Sequence, residues 1–268
     1  MLGAIIGDII GSVYEFHNIK TTDFPLFSER SRFTDDTVMT IAVSIGIREG
    51  YCDPDLSKEK IITAMHDLGS YYNRAGYGRR FWHWLKDNEH EPYGSYGNGS
   101  AMRVSSVAWA YSQLDDVEKY AEISAAVTHN HPEGIKGAQA TAAAIFLGRT
   151  GKSKEDIKSY IVSRYGYDLT RTIDEIRPGY TFDVTCQGSV PEAIIAFLEG
   201  NDFEDTVRKA VSLGGDSDTI AAIAGSIAEG FYGDIPEWIK EEAKNRLTDR
   251  LRAPLVAFQQ FCLSHKNQ

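Results

Sequence analysis

The sequence predicts an all-α fold, and three observations carry that expectation. Apolar residues recur at helical spacing in one segment after another, and helix-start residues punctuate the joins between them. The one alternating stretch, Tyr180 to Thr185, has no convincing partner and reads as extended loop or minor ribbon.

In order along the chain, Leu2, Ile5, Ile6, Ile9, Ile10 and Val13 mark one side of a first helix, while Asp8, Ser12 and Glu15 fall at i, i+4 and i+7 on another. Gly3, Gly7 and Gly11 lower helix propensity by roughly 1 kcal/mol each against alanine, so their benefit is expected to be close approach by another backbone. Val38, Ile41, Ala42 and Ile45 mark a second helix, with Thr34-Asp35-Asp36 at its entrance. Further helices are expected over Ala101 to Ala110, Val117 to Val127, Ile135 to Phe146 and Ala193 to Leu198, the last opened by Ser189, Pro191 and Glu192. Phe203, Val207, Ala210 and Val211 form another amphipathic segment, after which Gly214-Gly215 breaks the chain. A strongly periodic helix follows, its buried face marked by Ile220, Ile223, Ala224, Ile227, Ala228 and Phe231. Pro236, Trp238, Ile239, Ala243 and Leu247 indicate one more, surface-packed helix.

Composition narrows the function classes. A hydrophobic fraction of 42% and a charged fraction of 25% are ordinary for a globular protein. No linker-like stretch interrupts the 268 residues, so a single domain over 1–268 is expected. A formal charge of −10 repels nucleic-acid backbones, and no Lys/Arg block offsets it. Cys52, Cys186 and Cys262 are odd in number and lack metal-ligand spacing, which suits a reducing cytoplasm. The apolar start is too short to span a bilayer and contains Asp8, so no membrane association is expected.

Two clusters carry chemistry. Thr34-Asp35-Asp36-Thr37 and Gly214-Gly215-Asp216-Ser217-Asp218-Thr219 each set paired carboxylates and hydroxyls just before an apolar helix. Capping a helix needs only one such residue. Hard cations such as Mg²⁺ or Mn²⁺ take oxygen donors, and two of them about 3.5–4 Å apart clamp an anionic or hydroxyl-bearing group. The doubled carboxylates favour the metal over the cap. Gly97-Asn98-Gly99-Ser100 precedes a helix and can aim backbone amides at an anion, although a glycine-rich turn alone is weak support. The Tyr77-Gly78 and Tyr93-Gly94-Ser95-Tyr96 segments offer rings for stacking or for the core.

Together these segments resemble the ADP-ribosylglycohydrolase family, which includes the dinitrogenase reductase-activating glycohydrolase. The resemblance runs nearly end to end. It rests on Gly7-Asp8 with Gly11 and Glu15-Phe16, then Thr34-Asp35-Asp36-Thr37, then Gly97-Asn98-Gly99-Ser100-Ala101-Met102-Arg103, then His129 with His131-Pro132, then Gly215-Asp216-Ser217-Asp218-Thr219. It implies a compact orthogonal helical bundle that cleaves an ADP-ribose N- or O-glycosidic bond. It also implies a pair of Mg²⁺ or Mn²⁺ ions held by Thr34, Asp35, Asp36, Asp216, Asp218 and Thr219.

The catalytic set implied is Glu15, Asp35 and Asp218. Asp8, on the same helix stripe, reads as a partner that orients ligands or as a local cap or pair. Gly97, Asn98, Gly99, Ser100, Met102, His129 and Gly215 are the implied substrate contacts. His129 is assigned to binding only, because an oxygen-rich site prefers hard ions to imidazole-bound zinc. His66, His83 and His90 read as ordinary residues. The partner is an ADP-ribosylated protein or a small ADP-ribosyl conjugate, and the leaving group stays open. Two alternatives stand beside this: a metal-dependent phosphoester or pyrophosphate hydrolase, and a noncatalytic ADP-ribose-binding protein.

Overall fold

The structure, a computed structural model, describes residues 1–87 and 90–265, and among these every regular element is helical. The helices are α1 (Leu2–Gly11), α2 (Asp35–Glu49), α3 (Pro54–Tyr71), α4 (Arg79–Trp84), α5 (Gly99–Met102), α6 (Val107–Ala110), α7 (Leu114–Ala126) and α8 (Pro132–Arg149). They continue with α9 (Lys154–Tyr165), α10 (Ile173–Ile176), α11 (Cys186–Glu199), α12 (Phe203–Ser212), α13 (Ser217–Tyr232), α14 (Glu237–Asn245) and α15 (Asp249–His265). The predicted all-α class is what the chain adopts. No helix is long and apolar enough to cross a membrane among the described residues.

Helix α13 is the central strut, packed against α1, α8, α11 and α12. The glycine stripe of α1 explains how closely the first of these pairs lies. A Cβ at Gly3 would fall 2.3 Å from the Gly225 carbonyl oxygen, one at Gly7 2.1 Å from that of Ala221, and one at Gly11 2.5 Å from Asp218 Cα. The partners descend as the glycines ascend, so α1 and α13 run antiparallel. The C-terminal end of α1 therefore lies on the N-terminal end of α13, where Asp216 and Asp218 sit.

Local chemistry sets the other ends. Asp53 caps α3 ahead of Pro54, and Ser153 with Asp156 forms a reciprocal capping box on α9. Each such cap contributes about 1 kcal/mol.

Three expectations about elements need correction. The segment from Ala101 to Ala110 is not one helix: α5, a 3₁₀ turn at Val104–Ser106 and α6 follow one another. The helix expected to open at Ser189 begins at Cys186, because Thr185 is the cap and accepts from the Gly188 amide at 3.1 Å. Pro191 then lies inside α11, and Ser189 donates to the Asp183 carbonyl at 3.0 Å instead. Finally, α1 ends at Gly11, so Glu15 leaves the polar stripe of that helix and rides on the turns that follow. The Tyr180 to Thr185 stretch is extended as expected, joined to the chain before α5 through a single bridge between Gly97 and Thr185.

Candidate active site

Asp8, fully buried on α1, builds the first half of the site. Its carboxylate accepts the Thr34 amide at 2.9 Å, the Thr34 hydroxyl at 2.7 Å, the Thr37 amide at 3.1 Å and the Thr37 hydroxyl. These bonds hold the N-terminus of α2 against α1. Thr34 gives its hydroxyl proton to Asp8 and accepts the Asp36 amide at 3.3 Å, so its remaining lone pair is held in a fixed direction.

The entrance of α13 is fixed differently. Gly214 and Gly215 take φ of +72° and +70°, a left-handed backbone that glycine tolerates. Asn18 brackets Gly215, accepting its amide at 2.7 Å and donating to its carbonyl at 3.0 Å. Asn98 Nδ2 then donates to Asp216 Oδ2 at 2.7 Å and to Ser189 Oγ at 3.0 Å.

The two entrances meet. Thr219 Oγ1 donates to Asp36 Oδ2 at 3.0 Å across 183 residues of sequence. Glu15, Asp216 and Asp218 each bring a carboxylate oxygen within 4.8 Å of the other two. Glu15, Asp35, Asp36, Asp216, Asp218 and Thr219 all line one cavity of about 460 Å³.

Electrostatics in this part of the cavity are unfavourable for the protein alone. Burial, followed by repulsion from Asp218 and Asp8, lifts Asp35 and Asp36 well above the usual carboxylate range. Asp218 is raised in the same way by burial and then by Asp216 and Asp8. Asp216 is pushed up to about 6 by burial, even though Asn98 opposes the shift. Glu15, half-buried, is pushed to about 8 by burial and then by Asp218 and Asp8, with Arg32 pulling the other way. Among the described residues no Lys or Arg ion-pairs with any of these five carboxylates.

Another part of the cavity wall is basic and aromatic. Arg80, Arg103, Tyr93 and His129 lie together there, with Gly97 and Gly99 beside the His129 ring, and Arg79 and Met102 also line the cavity. The Arg80 guanidinium lies 4.8 Å from the Tyr93 ring centroid. Burial, then the charges of Arg103 and Arg80, hold the His129 imidazole well below its ordinary pKa. At the mouth Phe182 and Val184 line the opening, and Phe182 stacks on the exposed Phe16 with centroids 6.4 Å apart.

The sequence-predicted residues thus converge, with three set apart. Ser100 is buried outside the cavity wall, its hydroxyl donating to the Gly134 carbonyl at 2.7 Å. Gly215 is enclosed by Asn18, and Thr34 lies behind the wall with its hydroxyl on Asp8. Asn98 lines the cavity, but its amide nitrogen is already engaged with Asp216 and Ser189. Of the tyrosine segments, Tyr93, Gly78 and Ser95 reach the wall, whereas Tyr77 packs against the core. His66, His83 and His90 do not line the cavity. Sequence reasoning missed Arg79, Arg80, Arg103 and Phe182 as wall residues. The Arg79-Arg80 pair directly after Tyr77-Gly78 was the available signal for two of them.

Comparison with known proteins fits this geometry. Residues 1–262 match the ADP-ribosylglycohydrolase family. The chain belongs to that family and is an enzyme of the ADP-ribosylglycohydrolase class. It is 29% identical to the ADP-ribosylhydrolase ARH3 of Mus musculus, over 88% of this chain and 84% of that protein. The ADP-ribosylarginine hydrolase Tri1 of Pseudomonas putida is 25% identical over 96% of this chain and 78% of that protein. A solved ADP-ribosylglycohydrolase-related protein complex shares the fold, with a TM-score of 0.69, 23% identity and 97% of each chain covered.

Proposed function

We propose that this enzyme hydrolyses the glycosidic bond between ADP-ribose and an acceptor, a protein side chain or a small conjugate, and releases ADP-ribose. The observation that carries the reading is the meeting of the α2 and α13 entrances, Thr219 on Asp36 at 3.0 Å, on the wall of a cavity that arginines also line.

The donor set fits divalent cations. Five carboxylates with raised pKa values and no cationic side chain as partner form an oxygen-only cluster, the environment that Mg²⁺ or Mn²⁺ stabilises in its ionised form. Thr34, Asp35, Asp36, Asp216, Asp218 and Thr219 would hold two such ions. When bound, they supply positive charge that draws electrons from ribose hydroxyls and acidifies water.

The chain's own residues do the remainder. Asp8 and Asn98 fix Thr34 and Asp216 through hydrogen bonds and so set the directions of the oxygen donors. Glu15, at the cavity wall beside Asp216 and Asp218, manages the proton or steadies the positive charge that develops at the anomeric carbon. Arg79 and Arg80 suit the pyrophosphate, and Tyr93 offers a face for the adenine, whereas the Gly97 and Asn98 amides ahead of α5 are already bonded to Ser95 and Val184.

The test is a panel of defined ADP-ribosylated substrates, linked through arginine, serine or a small ester, assayed with each cation after chelation. Free ADP-ribose that depends on Mg²⁺ or Mn²⁺ is the expected product. AMP or phosphate would instead make the protein a phosphoester or pyrophosphate hydrolase, and ADP-ribose binding with no turnover would make it a binding protein.

A further inference from the structure

One buried cation has no part in the account so far. Arg103 is 1% exposed, lines the basic part of the cavity wall and makes no ion pair among the described residues. Its Nη2 donates to the Ser124 carbonyl at 3.0 Å and to Thr128 Oγ1 at 2.8 Å. Thr128 Oγ1 in turn lies 2.7 Å from His129 Nδ1.

Proton counting orders this chain. A guanidinium only donates, so Thr128 accepts from Arg103. The hydroxyl keeps one hydrogen, and among the described residues its remaining hydrogen-bond partner is His129 Nδ1. If Nδ1 also carried a proton, that hydroxyl hydrogen would be buried with no acceptor beside a cation. Nδ1 must therefore accept, and a neutral imidazole then carries its proton on Nε2. The Nε2 edge is where the substrate loop passes. A Cβ at Gly99 would lie 3.1 Å from Nε2 and one at Gly97 3.5 Å from it, so the absence of side chains there leaves the edge uncovered.

We infer that Arg103 and Thr128 are positioning residues: their hydrogen-bond relay fixes His129 as the Nε2–H tautomer and presents one N–H donor to the substrate's anionic group. The inference rests on the proposed ADP-ribose pocket for the identity of that group, a pyrophosphate. Arg103, buried beside the relay, polarises it through Thr128.

Thr128→Val keeps the shape and removes the hydroxyl, and Thr128→Ser restores it. Two readouts separate the questions. In ¹⁵N-labelled protein without ligand, the imidazole shifts of wild type should report a protonated Nε2 and a bare Nδ1. Thr128→Val should shift both signals toward a tautomer mixture, and Thr128→Ser should return them. Calorimetric titration with ADP-ribose should show affinity falling about tenfold in Thr128→Val and recovering in Thr128→Ser, with KM rising and kcat within twofold of wild type. A protonated Nδ1 in wild type overturns the relay, as does Thr128→Val with unchanged shifts or unchanged ADP-ribose affinity. Failure of the wild type to bind ADP-ribose would overturn the pocket reading instead, while the shifts still judge the relay.

Discussion

Two groups of residues on the cavity wall are built from opposite materials. In one group five carboxylates crowd together with raised pKa values and, among the described residues, no Lys or Arg ion-pairs with them; in the other, Arg80 and Arg103 flank His129, and among the described residues no carboxylate ion-pairs with Arg79 or Arg103. Each group is poorly compensated within the protein, and under the proposed function each would be completed by a different part of one substrate complex: cations and ribose at the acidic group, phosphates and base at the basic one. Under that reading the contrast would give a bound ADP-ribose a direction in the cavity. It also separates two kinds of defect, since losses in the acidic group should appear in turnover and losses in the basic group in binding.

The largest expected effect follows from that division. Asp218→Asn or Asp35→Asn should lower ADP-ribose release by at least about 10³-fold through the lost charge at the reacting bond, as steady-state assays would show. Glu15→Gln should lower kcat by roughly 10²–10⁴-fold and leave ADP-ribose affinity near wild type. Wild-type turnover in that variant would remove Glu15 from the chemistry.

Asn98→Ala probes the join between the two groups, because Asn98 lines the cavity and donates to Asp216 at 2.7 Å. Metal affinity by titration should fall about 10–100-fold. In the basic group, Arg80→Ala should raise KM about tenfold with kcat little changed, the amount expected for a lost charge-assisted hydrogen bond. A pure kcat effect would contradict the assignment of this group to binding.

The smallest effect comes from a carboxylate outside the cavity. Glu118 is also desolvated, yet bonds from Arg164, Tyr160 and Tyr165 outweigh burial and hold its pKa below the ordinary value. A folded-state pKa below the unfolded one gives stability that is present above the unfolded value and lost as pH falls through the folded value. Glu118→Gln should therefore cost about 1 kcal/mol at pH 7, with the difference in denaturant midpoint vanishing in acid. Persistence of that difference at low pH would show that shape, and not charge, is responsible.

Much of the fold was legible where burial is periodic. The apolar stripes of α1, α2, α7, α8, α12 and α13, and the glycines that bring α1 onto α13, are one-dimensional patterns with a direct physical meaning. The α11 start was misplaced because Ser189-Pro191-Glu192 imitates a capping box, whereas the true cap, Thr185, is anchored by the distant chain before α5. The acidic group was legible because doubled Asp pairs at helix entrances are unusual. Its geometry was not, since Glu15 arrives on turns beyond α1. The basic group was hidden more deeply. Arg79 and Arg80 open a six-residue helix, and Arg103 sits where helix geometry breaks, so no periodicity marks which way their side chains face.

The central claim is that two helix entrances, brought together by α1, make one cation site. Electron paramagnetic resonance of metal-stripped protein titrated with Mn²⁺ tests it most directly. The account predicts two Mn²⁺ per chain with an exchange-coupled spectrum, lost in Asp36→Asn and in Asp216→Asn alike although each variant alters only one entrance. Two uncoupled ions, each abolished by only one of the variants, or no Mn²⁺ binding at all, would contradict it.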